Sequence, residues 1–155
     1  MKIRFKINGA LREFEAMPNE SLLDLLRKEG YTGVKEGCRQ GRCGACTVLM
    51  NGVPVQSCLI PSPRAEETEI LTVEGLGTPD RLHPLQQSFL DQGAVQCGFC
   101  TPGMLLSSKA LLDRNSHPTE EEIKMALDGN LCRCTGYVKI IEAVKKTAKA
   151  MRKRK

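Results

Sequence analysis

The stretch Gly37–Val48, GCRQGRCGACTV, carries three cysteines within nine residues, spaced Cys38-x4-Cys43-x2-Cys46. Gly37 stands directly before them and Gly41 and Gly44 between them. Glycine takes left-handed backbone conformations without a Cβ penalty, so a loop this rich in glycine can curl tightly. A fourth cysteine, Cys58, follows after eleven intervening residues. Such a loop points several thiols at one spot and brings backbone N–H groups close to the sulfurs.

The C-x4-C-x2-C…C spacing is the one used by plant-type ferredoxins, whose four thiolates hold a dinuclear iron–sulfur core. Nearby N–H groups would stabilise the extra negative charge that such a core takes up on reduction. Zinc also accepts four thiolates but usually draws on paired C-x2–4-C knuckles. The iron–sulfur reading is therefore preferred at this site.

The flanking sequence has strand and turn signals. In KIRFKI, Ile3, Phe5 and Ile7 alternate with charged residues, Asn8-Gly9 is a hairpin turn, and a second strand runs through Phe14. Ser21 with Asp24 resembles a capping box for a short helix carrying Leu22, Leu23, Leu25 and Leu26, with Gly30 as its stop. After the cysteine loop, Thr47–Met50 and Val53–Leu59 flank a second turn, Asn51-Gly52, and Glu69–Val73 is a last strand. This order predicts a small mixed sheet crossed by one helix. Glu74–Arg81, EGLGTPDR, reads as a linker. Beyond it, helices are expected near 84–92, 103–114, 119–128 and 137–150, forming a compact bundle. Pro102 suits a first turn and Thr119 with Glu122 forms a capping box.

The other four cysteines fall in this helical part. Cys97 and Cys100 lie in AVQCGFCTPGM, Ala94–Met104, and Cys132-x-Cys134 in GNLCRCTGY. CGFCTPGM and CRCTGYV form a faint repeat, each placing a cysteine pair before a helix start. This set is less specific by itself. It suits half of an iron–sulfur site twice over, or zinc, or a dithiol redox pair. A dithiol should follow a buried strand, and LQQSFLDQGAVQ is too polar for one. The narrow Cys132-x-Cys134 bite strains a tetrahedral zinc but reaches one iron, or two neighbouring ones, of a flat dinuclear core. Apolar neighbours Phe99, Pro102, Met104, Leu131 and Tyr137 lead us to expect a buried site here. Glu36, Arg39, Gln40 and Arg42 lead us to expect an exposed edge at the first.

Bulk properties bound the function. The chain has 155 residues, 41% hydrophobic and 26% charged, with 4% aromatics and no Trp. Two small aromatic-poor cores would need support from metal centres or partner subunits. The net charge is +5, yet Lys145–Lys155 alone carries seven bases and no acid. Without that end, acids outnumber bases by two, so the charge does not argue for nucleic-acid binding; a solvated helix end is expected. MKIRFKINGALREF contains no signal-peptide core, and no run approaches a membrane span. A cytoplasmic location is expected, where eight thiols stay reduced and serve metal or redox chemistry. His83 and His117 each precede a proline and read as turn or cap residues. Arg39, Arg42 and Arg133 read as solvated loop charges that could also tune a centre or steer a partner. No Ser/His/Asp set, paired carboxylates or phosphate loop is visible.

Together, GCRQGRCGACTV, QCGFCTPGM and GNLCRCTGY resemble the small iron–sulfur subunit of the molybdenum hydroxylases, the family of xanthine oxidase, aldehyde oxidoreductase and carbon monoxide dehydrogenase. The resemblance covers about residues 1–150, and all eight cysteines fall on the pattern. It implies an α+β chain, with a β-grasp ferredoxin domain over 1–76 followed by a four-helix domain over 77–155. It implies two 2Fe–2S clusters, one held by Cys38, Cys43, Cys46 and Cys58, the other by Cys97, Cys100, Cys132 and Cys134. It further implies a large partner subunit with molybdopterin (as the cytosine dinucleotide) and a medium partner with FAD, in a heterotrimer or a dimer of heterotrimers. Gln96 would bond the pterin and Cys134 would approach its amino group. Without the resemblance, Gln96 reads as a helix-end residue bonding a free carbonyl. The chain would relay single electrons from molybdenum through the helical-domain cluster and then the ferredoxin-domain cluster to FAD, with no substrate chemistry of its own. Rival readings are a free-standing ferredoxin-like carrier, the same subunit in a reductive enzyme of the hydroxybenzoyl-CoA reductase kind, and a zinc-stabilised interaction or nucleic-acid module.

Overall fold

In strand β1 (Lys2–Ile7), Ile3, Phe5 and Ile7 turn inward and the charged residues outward. The structure, a computed structural model, describes residues 1–152. Asn8 and Gly9 both take positive φ, as a tight hairpin turn requires, and lead into antiparallel β2 (Ala10–Glu15). Phe5 and Phe14 stack across the pair with ring centroids 4.4 Å apart. Helix α1 (Leu22–Lys28) starts where Ser21 Oγ accepts the Asp24 N–H at 3.1 Å, and it buries all four of its leucines. It ends at Glu29, with Gly30 in the left-handed region.

After the cysteine loop come β3 (Thr47–Met50), β4 (Val53–Gln56) and β5 (Glu69–Leu71). The sheet order is β2-β1-β5-β3-β4, with β1 and β5 parallel and the other pairs antiparallel. With α1 packed beside it, this is the expected β-grasp arrangement. Two strands are shorter than expected. β4 stops at Gln56 because Ser57 turns the chain into a 3-10 segment, its N–H and Oγ–H both donating to the Cys46 carbonyl. β5 stops at Leu71 because Asn8 caps the strand end: its Oδ1 accepts the Thr72 N–H at 2.9 Å and its Nδ2 donates to Thr72 Oγ1 at 3.0 Å.

The stretch expected as a linker has structure of its own. Val73–Gly75 is a 3-10 turn, Leu76 is buried in the helical core, and Thr78 and Arg81 exchange backbone hydrogen bonds. Helices α2 (Pro84–Asp91), α3 (Thr101–Arg114), α4 (Glu120–Leu127) and α5 (Val138–Arg152) follow. His83 caps α2, its Nδ1 accepting the Leu85 N–H at 3.2 Å while Gln86 Oε1 accepts the His83 N–H. Thr119 and Glu122 form the expected capping box on α4. Leu85, Phe89, Met104, Ile123, Ile140 and Val144 fill the helical core. A third small cluster, Leu49, Leu106 and Ala110, joins β3 to α3.

The basic end is more than a solvated tail. Lys145 pairs with Glu120 on α4 and with Glu142, Lys146 donates to Gln92 at 2.7 Å, and Arg152 donates to the Ser116 carbonyl. Residues 153–155, which carry three of the seven bases, lie outside the described residues. Among the described residues no helix is long and apolar enough to cross a membrane.

Candidate metal centres

At the first site the Gly37–Cys46 loop curls through positive φ at Arg39, Gly41 and Gly44. The curl aims the N–H groups of Gln40, Arg42 and Cys43 at Cys38 Sγ, at 3.3, 3.3 and 3.4 Å, and the Cys38 N–H returns to Cys43 Sγ at 3.4 Å. The amides of Gln40, Cys43 and Arg42 pull the Cys38 thiol down to about 6. Gly37 differs from the expectation, since its φ is not positive. It is required for room, because a Cβ there would sit 2.7 Å from Cys43 Sγ. Cys46 is buried beside Cys58, and burial pushes its thiol up to about 11. The four thiols thus resolve into two pairs, Cys38 with Cys43 and Cys46 with Cys58.

Arg39 is not a free loop charge. Its guanidinium reaches Asp24 on α1 at 2.7 Å and Glu36 at 2.6 Å, clamping the loop onto the helix and holding both carboxyls below their usual range. Composition gave no hint of this, because the partner lies in another element. Arg42 contributes its backbone N–H.

At the second site, Cys97 and Cys100 come from the loop between α2 and α3, Cys132 and Cys134 from the loop between α4 and α5. Cys134 Sγ lies 3.6 Å from Cys97 Sγ, and that hydrogen bond raises the Cys134 thiol. Cys100 neighbours Cys132; burial, then the Cys132 thiol, push Cys100 up to about 12. Cys132 is also partly buried, but the Thr135 Oγ–H at 3.1 Å and N–H at 3.3 Å outweigh that and lower it. The pairs are therefore Cys97 with Cys134 and Cys100 with Cys132, so the Cys132-x-Cys134 bite spans both.

The expected exposed edge at the first site is present, with Glu36, Arg39, Gln40 and Arg42 all exposed, but the expected burial of the second site is not. Cys97 and Cys134 are exposed, as are Phe99 at 46% and Leu131 at 55%, whereas Cys46 is buried. Both helical-site loops cap one end of the bundle, and Met104 beneath them is in the core while their tips face out. Gln96 is exposed next to Cys97. His83 and His117 reach neither site; His83 is held below its usual range by burial, and His117 bonds Ser116 in a turn.

A contact that sequence reasoning missed lies between the sites. The Leu131 N–H donates to the Cys43 carbonyl at 2.9 Å, so a ligand-bearing loop of each unit touches the other. Asn130, 4% exposed, sits in the same contact. Its only signal in the sequence is its position between a glycine and the last cysteine pair.

Residues 5–72 match the 2Fe-2S iron-sulfur cluster binding domain family, and residues 72–145 the 2Fe-2S binding domain family. The chain is 55% identical over 144 residues to the nicotinate dehydrogenase small FeS subunit of Eubacterium barkeri, covering 92% of each. It is 46% identical to the xanthine dehydrogenase iron-sulfur-binding subunit of Escherichia coli O157:H7, covering 92% of this chain and 91% of that one. The chain belongs to the small iron–sulfur subunits of the molybdenum hydroxylases. The fold agrees: quinoline 2-oxidoreductase from Pseudomonas putida 86 contains a chain matching 99% of this one over 96% of its own length, at 46% identity and a TM-score of 0.94. As a molybdenum hydroxylase small subunit, it is the electron-transfer component of an oxidoreductase, with two 2Fe–2S binding domains.

Proposed function

We propose that Cys38, Cys43, Cys46 and Cys58 hold one 2Fe–2S cluster and Cys97, Cys100, Cys132 and Cys134 the other. The observation that carries this is the two-plus-two pairing at each site. A dinuclear core takes two thiolates on each iron, whereas a zinc site needs four ligands around one ion. The clusters supply one-electron storage. The chain supplies thiolates, the N–H and O–H donors that stabilise added negative charge, and the contact between the sites.

The helical-domain cluster is the inner relay, next to a molybdopterin cytosine dinucleotide in a large subunit, and the ferredoxin-domain cluster the outer one, facing FAD in a medium subunit. The exposed Cys97/Cys134 edge with Phe99 and Leu131 supports this order, because apolar surface of that kind suits a covering partner. Gln96 and Cys134, both exposed there, are the residues we assign to the pterin. The assembly is a heterotrimer or a dimer of heterotrimers. Residues 1–76 and 77–155 form its two cluster-binding domains. Eight cysteines, none in a disulfide, suit the reducing cytoplasm. The substrate pocket lies on the large subunit; nicotinate is the first compound to assay, given the relative named for it.

Metal and sulfide analysis of the purified complex tests the ligation. The expected result is four irons and four acid-labile sulfides per chain, with two distinct reduced-state paramagnetic signals. Stoichiometric zinc, or one cluster alone, overturns it.

A further inference from the structure

The two cysteine sites are joined by a seam in which backbone meets backbone. Gly44, directly after Cys43, packs so closely on the α4–α5 loop that a Cβ would fall 2.2 Å from the Gly129 carbonyl oxygen. Gly103, in the first turn of α3 after Cys100, meets the same spot; a Cβ there would fall 2.4 Å from the Gly44 carbonyl oxygen. Asn130 fills this seam with every polar atom bonded. Its Oδ1 accepts the Ser107 Oγ–H at 2.7 Å, and its Nδ2 donates to the Gly44 carbonyl at 3.1 Å and to Thr47 Oγ1 at 3.3 Å. Its carbonyl accepts from the Tyr137 hydroxyl at 3.2 Å, and that hydroxyl oxygen accepts the Cys132 N–H at 2.8 Å.

A buried amide is costly unless fully paired, and an apolar side chain could fill the same volume without that cost. What an apolar residue could not do is hold both loops. One arm of Asn130 holds the residues just after Cys43 and Cys46. The other, through Tyr137, holds the backbone of Cys132. Between them Leu131 donates its N–H to the Cys43 carbonyl, giving a bonded path from one proposed ligand to another across one hydrogen bond.

We propose that Asn130 is a positioning residue that fixes the separation and the through-bond coupling of the two clusters, an inference that rests on the ligation proposed above. The step it serves is a one-electron exchange in which the helical-domain centre is oxidised and the ferredoxin-domain centre reduced, with no bond broken and no proton moved. Such exchange weakens steeply with distance and with gaps in the bonded path, so a loop free to drift slows it even when both centres are intact. Supporting residues locked by packing and hydrogen bonds are what hold a functional geometry to a fraction of an ångström.

The test uses the assembled complex carrying Asn130→Ala, Asn130→Asp (which keeps the shape and loses both N–H donors) or Ser107→Ala (which removes only the donor that orients the amide). Three quantities are read: iron content, the magnetic splitting that each reduced cluster imposes on the other, and the rate at which the second centre is reduced after the first. The expected result is full iron content with each cluster's own signal preserved, a smaller mutual splitting, and a several-fold loss of the inter-cluster rate. The Asn130 variants should lose most and Ser107→Ala least. Unchanged splitting and rate in variants holding both clusters would overturn the proposal. So would loss of a cluster in the Asn130 variants together with unchanged splitting and rate in Ser107→Ala, since the role would then be structural. A wild-type complex without two clusters would instead refute the ligation beneath it.

Discussion

The ferredoxin-type site draws three of its four thiols from a single curled loop, whereas the helical site gathers its four from two loops separated by the whole of α3 and α4. The first is built by local backbone conformation, with positive φ at Arg39, Gly41 and Gly44 turning three N–H groups onto Cys38. The second exists only once the helices pack, because nothing local brings Cys97 to within 3.6 Å of Cys134. Here one sulfur, Cys132 Sγ, takes the side-chain hydroxyl and the backbone N–H of Thr135 instead of a ring of loop amides. The lesson is that similar four-thiol sites can differ in what they ask of the fold. One needs the loop, the other needs the bundle.

The sharpest way to break this comparison is to remove one ligand from each site in turn. Cys58→Ala should abolish one reduced-state signal and spare the other, with about half the iron lost; Cys132→Ala should do the reverse, because each dinuclear core needs all four thiolates. Loss of both signals in either variant, in protein that is still folded, would make the sites interdependent.

A smaller effect separates local from bundle assembly. Leu85 is fully buried in the helical core. Leu85→Ala should cost that unit about 2–5 kcal/mol, and on heating the helical-site signal should vanish before the ferredoxin-site signal. Simultaneous loss would show that the shared seam at Leu49, Leu106 and Ala110 couples the two units into one cooperative body.

The same difference explains what the sequence revealed. Cys38, Cys43, Cys46 and the Asn8-Gly9 and Asn51-Gly52 turns are local signals, so the first site and its sheet could be read directly. Ser21, Thr119 and Pro102 likewise marked helix starts. Cys97, Cys100, Cys132 and Cys134 could be grouped only by resemblance, since the spacing alone left zinc open. Asn130 and Arg39 act through partners far along the chain, Gly44 and Thr47 for one and Asp24 for the other, and no local pattern shows such a partner. The burial of the helical site was misread for a related reason. Apolar residues near the helical cysteines mark either a core or an exposed apolar surface, and Phe99 and Leu131 are the second kind.

Two weaker perturbations sharpen the picture of the bundle. Thr119→Ala removes the α4 cap and should cost about 1 kcal/mol, seen as a lower melting temperature for the helical unit with the ferredoxin unit unmoved. The smallest effect is electrostatic. Lys145 and Lys124 hold the Glu120 carboxyl at about 2, below its ordinary 4.5. A depressed carboxyl stabilises the fold above its unfolded value and loses that contribution as pH falls, here between 4.5 and about 2. Lys145→Ala should flatten the acid sensitivity of the helical unit in that window, as followed by circular dichroism. An unchanged acid profile would show the ion pair to be too solvated to matter.

The central claim, that the helical site is the inner relay and the ferredoxin site the outer, is tested most directly by single-turnover kinetics of two variant complexes. With the ferredoxin-domain cluster removed by Cys43→Ser, substrate should still reduce the helical-domain cluster quickly while flavin reduction stalls. With the helical-domain cluster removed by Cys100→Ser, substrate should reduce neither the ferredoxin-domain cluster nor the flavin at a useful rate. A Cys43→Ser complex whose molybdenum site and helical-domain cluster are intact, yet whose helical-domain cluster stays oxidised in the presence of substrate, would show that the chain runs the other way.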